Sequence, residues 1–348
     1  MTSTAFVFPG QGSQRVGMGA DFVRRRPDLV DTYYRAADDL LGFPLSRLCH
    51  EGPAEALRDT AVTQPAVFLT SIVVLDVLRT HDVEPDVVAG HSLGEYAAAV
   101  CAGVLSWQDA LRLVRLRGRL MAGVNERMPG AMAAVVGLDL PTVRDLCARA
   151  AAETGQVVEV ANDNEPAQTV VSGQAAAVRA VAEAARRAGA RRVVPLGVGA
   201  PFHCSLMRDI EAEFAEALAA VDFRDPSVPL VSSVTATALT SAEEIVSALR
   251  RQLTAPVRWT GTVRTLAGRG VRRYVEVGPG RVLGGLCRRT EPTARTFTTG
   301  TVGELAATVD ALGPAGTEPA ETETDTGTGT GTETGTETAS AGTAAASL

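Results

Sequence analysis

The sequence predicts an α/β protein with a parallel sheet, and two observations lead to that prediction. An apolar run at 87–89 enters the hexapeptide Gly90-His91-Ser92-Leu93-Gly94-Glu95, and an alanine-rich segment follows at 96–100. A strand, a sharp turn and a helix in this order form the building block of α/β sheets. A later predicted strand, 273–276, also ends in a glycine-rich turn, and such ends of parallel strands are where α/β proteins collect their sites.

The first third of the chain is predicted to start with a strand and continue with helices. Residues 5–8 are an apolar strand that ends in the glycine-rich stretch 9–14, and residues 20–82 are mostly helical. Within that stretch, 67–78 is apolar nearly all round, which is typical of a helix buried beneath its neighbours. We expect it to pack against the helix after Ser92. An amphipathic helix follows at 107–121.

Residues 130–196 show a different pattern of short alternating elements. We predict strand 131–136, helix 141–152, strands 157–162 and 168–172, helix 175–188 and strand 191–196. The order βαββαβ is that of a ferredoxin-like unit. Because this unit lies between Ser92 and a later histidine, we predict that it is inserted into a larger domain. The small domain then spans 129–197, and the discontinuous large domain spans 1–128 and 198–312.

The larger domain is predicted to continue with alternating helices and strands and to end in a polar tail. The predicted elements are helix 206–221, strand 228–233, helices 242–253 and 259–268, and strand 273–276. Residues 313–348 consist largely of Thr, Gly and Glu repeats, which cannot bury a core. We therefore predict a disordered tail.

The composition is that of a globular protein, with 45% hydrophobic and 21% charged residues. Six of the seven net negative charges lie after Thr317, so the rest of the chain is nearly neutral. All 33 basic residues are arginine. Pairs such as Arg191 and Arg192 suit phosphate or an acidic partner, although such pairs are more often solvated surface.

The cysteines and the N-terminus both favour the cytoplasm. Five cysteines are scattered without Cys-x-x-Cys spacing, which argues against a disulfide framework or a zinc site. The N-terminus has no basic segment followed by an apolar run, and no stretch approaches the roughly 18 apolar residues of a membrane span. We expect a cytoplasmic protein that binds neither membrane nor nucleic acid.

The hexapeptide around Ser92 has the Gly-x-Ser-x-Gly spacing of a nucleophile elbow in α/β-hydrolase-like domains. Such a turn lifts the serine hydroxyl above the sheet and brings helix N–H groups near it, which favours negative charge there. The spacing also arises by chance in Gly/Ser-rich loops, but the flanking strand and helix favour a nucleophile. The stretch 9–14 is a weak match to a dinucleotide loop, because Arg15 replaces the third glycine.

A serine nucleophile needs a base, and the chain has four histidines. His91 lies inside the turn, where we expect it to pack or to form a local hydrogen bond. His50 and His81 lie beside loop signals and are expected at the surface. His203, in a Gly/Pro-rich loop late in the chain, is therefore the candidate base, with an ordinary histidine as the alternative.

Seven short motifs follow one another along the chain: FPGQGSQ at 8–14, TQPA at 63–66, GHSLGE at 90–95, RG at 117–118, PFH at 201–203, QLxxPV at 252–257 and EVGPG at 276–280. In this order they resemble the malonyl-CoA:acyl-carrier-protein transacylase family over roughly residues 4–290. The resemblance implies that Ser92 is acylated and that His203 is its base and acid. It also implies that the N–H groups of Gln11 and Leu93 form an oxyanion hole. The Gln252 carbonyl is implied to orient the histidine in place of a carboxylate.

The resemblance further implies that Arg117 holds the malonyl carboxylate. A planar, permanently charged guanidinium binds a carboxylate through two parallel hydrogen bonds, which agrees with that role. Gln64 is a candidate substrate contact with a structural role as the alternative. Phe202, beside the base, goes with malonyl rather than methylmalonyl in related acyltransferases. Ala255 departs from the asparagine that family members often carry there, which weakens the expected support of the histidine.

The leading hypothesis is transfer of malonyl from malonyl-CoA to the phosphopantetheine thiol of an acyl carrier protein. The reaction would follow a ping-pong mechanism through malonyl-Ser92 and would supply fatty-acid or polyketide synthesis. We expect it to need no metal or redox cofactor, and we expect the protein to be a monomer. One alternative is an editing acyl hydrolase that acts on carrier-bound thioesters, but a site for neutral chains gains nothing from a buried Arg117. The other is a silent docking protein, which the pairing of Ser92 with His203 disfavours.

Overall fold

The computed structural model describes residues 3–197 and 200–313, in which ten strands form two sheets. The strands are β1 (Ser3–Phe8), β2 (Val87–Gly90), β3 (Gly130–Val136), β4 (Val158–Glu165), β5 (Gln168–Gln174), β6 (Arg192–Pro195), β7 (Leu230–Val231), β8 (Ala238–Leu239), β9 (Val271–Glu276) and β10 (Arg295–Thr298). The α-helices are α1 (Ala20–Arg25), α2 (Ala36–Leu41), α3 (Leu45–Glu51), α4 (Thr60–Arg79), α5 (Gly94–Cys101), α6 (Trp107–Arg127), α7 (Leu140–Thr154), α8 (Ala175–Arg187), α9 (Glu211–Ala219), α10 (Ala242–Arg251), α11 (Trp259–Gly268), α12 (Val282–Thr290) and α13 (Val302–Leu312).

The first sheet has the strand order β10-β9-β1-β2-β7-β8 and is parallel except for the pair β7 and β8. Its central strands are almost continuously apolar, and all residues of β2 are buried. A strand that is covered on both faces has apolar residues at successive positions, because neither face is exposed to water. The prediction of a mixed α/β protein with a parallel-rich sheet is confirmed.

The second sheet is antiparallel, with the order β4-β5-β3-β6, and α7 and α8 contact its strands. All six elements predicted between 131 and 196 are present, and β4 continues three residues further than predicted, to Glu165. At the start of that extension, β4 pairs with Val257 in the segment before α11. The N–H of Asp163 donates to the carbonyl of Val257 at 2.8 Å, and the N–H of Val257 donates to Ala161 at 2.8 Å.

Helix α4 is the central core helix. By length and composition alone α4 could cross a membrane, although no membrane-spanning stretch was predicted. However, 83% of its most apolar 18-residue segment is buried within the protein. The Asp59 side chain caps it by accepting the N–H of Ala61 at 2.9 Å. It packs against α5, as predicted, and against α6.

The structure also corrects the prediction at several elements after residue 200. The predicted helix 206–221 is a 3₁₀ turn, Ser205–Ile210, followed by α9, and the predicted strand 228–233 is reduced to β7. The elements β8, β10, α12 and α13 were not predicted. Two glycines inside α12 lower its helix propensity, and β10 is a four-residue strand at the edge of the sheet. The predicted tail, 313–348, lies outside the described residues after Gly313.

Candidate active site

The sharp turn between β2 and α5 places its strain at Ser92. Ser92 has φ +52°, in the left-handed region that residues with a side chain rarely adopt. The two flanking glycines are needed for close packing instead. A β-carbon at Gly90 would lie 2.1 Å from the backbone nitrogen of Glu95, and one at Gly94 would lie 2.0 Å from the carbonyl oxygen of Phe8. The predicted elbow geometry is therefore present, with the serine at its apex.

The structure brings Ser92 and His203 together across 111 residues of sequence. The distance from Ser92 Oγ to His203 Nε2 is 2.8 Å, and His203 Nδ1 lies 2.9 Å from the main-chain carbonyl oxygen of Gln252. A carbonyl oxygen can only accept, so Nδ1 carries the proton and donates it. In the neutral ring Nε2 then accepts the serine O–H. This is the arrangement that a general base needs to activate a hydroxyl.

His203 is held in its neutral form at ordinary pH. Burial has the largest effect on the pKa of His203 and lowers it, and the charge of Arg117 lowers it further. The hydrogen bond to the Gln252 carbonyl raises it, and together these effects lower the pKa to about 3. The backbone of Ala255 also raises the pKa. The hydrogen bond from His203 Nδ1 to the Gln252 carbonyl forms at 2.9 Å even though Ala255 stands where asparagine was expected.

Arg117 lies on α6 with only 1% of its surface exposed. Its Nη1 donates to Gln64 Oε1 at 2.7 Å, and its Nη2 donates to Ser92 Oγ and to Gln252 Oε1, each at 3.0 Å. Within residues 3–197 and 200–313, no carboxylate forms a salt bridge with Arg117, and its Nε has no hydrogen-bond partner. A buried cation with spare donors can receive an anionic group from outside the chain.

The Ser92 hydroxyl opens into a cavity of about 30 Å³. Seven of the eight predicted site residues line it: Gln11, Gln64, Ser92, Leu93, Arg117, Phe202 and His203. Gln252, the eighth, does not line the cavity but forms hydrogen bonds with His203 and Arg117. Among the described residues, neither the Gln11 N–H nor the Leu93 N–H has a hydrogen-bond partner, so both are free to bind an oxyanion.

Four further residues line the same cavity and were not predicted from the sequence, namely His91, Met121, Met132 and Asn162. His91 is buried and packs edge-on against Trp259, with ring centroids 5.5 Å apart, so the expected packing is confirmed. Its hydrogen bond is not local, because Nε2 lies 2.9 Å from Asn164 Oδ1. Strand β4 brings both asparagines to the site from the second sheet. A signal was available, since asparagines stand at alternate positions, 162 and 164, in this strand.

The other two histidines do not take part in the site. His81 is exposed, as expected. His50 is half-buried rather than fully exposed, because its ring lies in α3 with its centroid 4.5 Å from that of Tyr34. Burial lowers the pKa of His50. Among the described residues, His203 is the histidine that forms a hydrogen bond with Ser92, so the fold selects it as the base.

An α/β fold with a serine–histidine pair at a strand–turn–helix corner defines the class of serine acyltransferases and hydrolases. The family model for the acyl transferase domain matches residues 5–311. The chain belongs to this acyl transferase family, and its 45% identity to a malonyl CoA-acyl carrier protein transacylase over 83% of its length shows that it belongs to the malonyl-CoA:acyl-carrier-protein transacylases. The predicted resemblance is thus confirmed.

Similar proteins match over most of their length. The chain is 45% identical to a malonyl CoA-acyl carrier protein transacylase of Haemophilus influenzae over 83% of this chain and 92% of the relative. It is 44% identical to one from Escherichia coli, over 90% and 99%. A solved transacylase of Xanthomonas oryzae superposes with TM-score 0.86 at 40% identity, over 90% of this chain and 99% of the other. A malonyl-transacylase in complex with a type II polyketide acyl carrier protein superposes with TM-score 0.84 at 41% identity, over 89% and 99%.

Proposed function

We propose that this chain transfers malonyl from malonyl-CoA to the phosphopantetheine thiol of an acyl carrier protein through malonyl-Ser92. The single observation that carries the proposal is the buried Arg117, whose Nη2 lies 3.0 Å from Ser92 Oγ, because this cation stands where the free carboxylate of a malonyl ester would extend. The names of the similar proteins support the same reaction, and one neighbour is bound to an acyl carrier protein.

In the first half-reaction, the Ser92 Oγ attacks the thioester carbonyl of malonyl-CoA while His203 Nε2 takes the serine proton. The Gln252 carbonyl, which accepts from Nδ1 at 2.9 Å, stabilises the imidazolium that forms. Negative charge on the carbonyl oxygen is met by the N–H groups of Gln11 and Leu93. The C–S bond then breaks, and the coenzyme A thiolate leaves with the proton from His203.

In the second half-reaction, the acyl-carrier-protein thiol gives its proton to His203 and attacks the malonyl-Ser92 ester. Collapse of the tetrahedral intermediate breaks the ester bond, and the Ser92 oxygen recovers the proton. Each step moves only an acyl group and a proton, so we propose that the reaction needs no metal or redox cofactor. The cavity is narrow, and the malonyl carboxylate would be held by a salt bridge to Arg117. Both leave little room for water to attack the ester.

We also propose the finer organisation of the fold and the setting of the enzyme. The strand–turn–helix corner at Ser92 supports an α/β-hydrolase-like large domain, 1–128 and 198–312. The order β4-β5-β3-β6 with α7 and α8 supports a ferredoxin-like small domain, 129–197. The five cysteines are free and buried, which suits a monomer in the cytoplasm. The pathway served is either fatty-acid or polyketide synthesis.

The partition of the acyl-enzyme between thiol and water tests this function against the hydrolase alternative. Protein loaded with labelled malonyl is mixed with excess acyl carrier protein that carries phosphopantetheine, and labelled carrier and free malonate are both quantified. We expect nearly all of the label on the carrier. Release mainly as malonate, at the same rate with or without the carrier, would support the hydrolase instead.

The rate of Ser92 acylation is expected to be insensitive to mild acid. The pKa of His203 is lowered to about 3, so the base stays neutral and active as the pH falls from about 8 to about 5. A histidine with its ordinary pKa would lose activity through about pH 6.5. The measurement is kcat/KM against pH for a malonyl thioester without phosphate groups. An inflection near pH 6.5 would contradict the neutral, buried base.

Replacing Phe202 with serine is expected to relax selection against methylmalonyl. Phe202 is 6% exposed and lines the cavity beside His203, so its ring occupies space that a methyl branch would need. One methyl group is worth about 1 to 3 kcal/mol in a pocket, so the malonyl preference should fall roughly tenfold to a few hundredfold. Competition between malonyl-CoA and methylmalonyl-CoA for Ser92 measures it. An unchanged ratio in Phe202→Ser would place the selection elsewhere.

A further inference from the structure

The structure contains a buried carboxylate beside the active site that the mechanism above does not use. Glu95 lies in the first turn of α5 and has no exposed surface. Its Oε2 accepts three hydrogen bonds, from the Ser233 N–H at 3.2 Å, the Ser233 hydroxyl at 2.7 Å and Gln252 Nε2 at 2.9 Å. Its Oε1 has no partner among the described residues.

A carboxyl group buried this completely is costly, because the charged form loses its hydration. Burial raises the pKa of Glu95, and the hydrogen bonds from Ser233, Ser232 and Gln252 oppose that rise. An alanine or leucine at a helix position facing the core would avoid the cost. The carboxylate therefore does something that an apolar side chain at this position could not do.

Its effect is seen in the orientation of the Gln252 amide. The two hydrogens of Gln252 Nε2 are directed to Glu95 Oε2 at 2.9 Å and to the Ser92 carbonyl oxygen at 3.1 Å. With Nε2 held by two acceptors, Oε1 must point the other way, where it accepts from Arg117 Nη2 at 3.0 Å. A flipped amide would place N–H donors against the guanidinium and leave Glu95 without this donor.

The main chain of the same residue supports the base, since the Gln252 carbonyl oxygen lies 2.9 Å from His203 Nδ1. Gln252 thus contacts the base through its backbone and the cation through its side chain. Fixing this one residue fixes both groups relative to Ser92. Displacements of about 1 Å at a reacting centre can cost about 100-fold in rate.

We propose that Glu95 is a positioning residue for acyl transfer, which acts by holding Gln252 so that His203 and Arg117 are both aligned on Ser92. The inference rests on the proposed function, since alignment is judged by malonyl transfer. It assigns to the glutamate of the GHSLGE motif a role in orienting the amide, distinct from the roles of the serine and the oxyanion donors.

The test compares Glu95→Ala with Glu95→Gln in loading of Ser92 by malonyl-CoA and acetyl-CoA. In Glu95→Ala we expect kcat to fall roughly 10- to 100-fold for both substrates, because Gln252 no longer fixes the base. The KM should rise for malonyl-CoA alone, because Arg117 also loses its fixed acceptor. Glu95→Gln keeps an oxygen that accepts from Gln252 Nε2, so it should recover most of the lost rate.

A matched control separates positioning from the general loss of a buried carboxylate. Glu276 has no exposed surface, and its carboxylate accepts the N–H groups of Val282 and Gly284 at 2.9 Å, at the start of α12. Glu276→Ala should lower the melting temperature about as much as Glu95→Ala while leaving the ratio of malonyl to acetyl loading unchanged. If Glu95→Ala does not fold, Ser233→Ala is the variant to use, because it removes only the 2.7 Å hydrogen bond from the Ser233 hydroxyl to Glu95. It should change kcat and KM in the same directions as Glu95→Ala, but by smaller factors.

Three outcomes would overturn the inference: wild-type kinetics in both Glu95→Ala and Ser233→Ala, a loss in Glu95→Gln as large as in Glu95→Ala, or the same kinetic change in Glu276→Ala. In each case the kinetics of the variant are compared with those of wild-type protein that loads malonyl on Ser92. Wild-type protein that fails to load malonyl would instead contradict the proposed function itself. The two failures are therefore distinguishable.

Discussion

Replacing Arg117 with alanine is expected to lower kcat/KM for malonyl-CoA by roughly two to four orders of magnitude. The variant would leave the malonyl carboxylate buried and unpaired, and losing one partner of such an ion pair costs about 3 to 5 kcal/mol. Acetyl-CoA has no carboxylate, so its loading should hold steady or rise. The guanidinium also donates to Ser92 Oγ at 3.0 Å, so the ratio of the two loading rates is the decisive quantity.

Arg119 offers a control for this measurement, because it is an exposed arginine on the same helix. Arg119→Ala should leave both loading rates within about twofold of wild type, as surface substitutions usually do. If Arg117→Ala lowered malonyl and acetyl loading by the same factor, the arginine would hold the site together without recognising the substrate. Malonyl selectivity would then depend on Phe202 alone.

Replacing Ser92 with alanine is expected to abolish acyl transfer, with a loss of roughly four to six orders of magnitude. The β-carbon at φ +52° is retained, so the backbone strain is the same in both proteins and the melting temperature should change little. His203 and Arg117 each keep their hydrogen bonds to Gln252. Rates of malonyl transfer and thermal unfolding, measured on the same preparation, check both parts. Appreciable transfer by pure Ser92→Ala protein would remove the serine from the mechanism.

Local patterns were sufficient to predict the elements that bear the nucleophile. The apolar run before Gly90 and the alanine-rich stretch after Gly94 specify a strand and a helix by themselves, because each is a continuous local signal. The four strands of the second sheet and the helices α7 and α8 were predicted for the same reason. The elements α12 and β10 could not be predicted this way, since glycines weaken one and the other is short and lies at the sheet edge.

The contacts within the site depend on long-range packing that no local pattern contains. His203 was selected by elimination and by resemblance, but its tautomer follows from the Gln252 carbonyl 49 residues away. Asn162 lines the cavity at the point where β4 pairs with Val257, in the segment before α11. The side-chain role of Gln252, between Arg117 and Glu95, was not anticipated, because it requires three separate segments to meet in the core.

The most direct test of malonyl transfer through Ser92 is a mass spectrum of the intact protein before and after it meets its acceptor. Brief exposure to malonyl-CoA should add one malonyl group, and peptide mapping should place it on Ser92. Addition of acyl carrier protein with a free phosphopantetheine thiol should return the enzyme to its original mass as the carrier gains the malonyl group. An enzyme that never gains the adduct, or that carries it on a residue other than Ser92, would contradict the account.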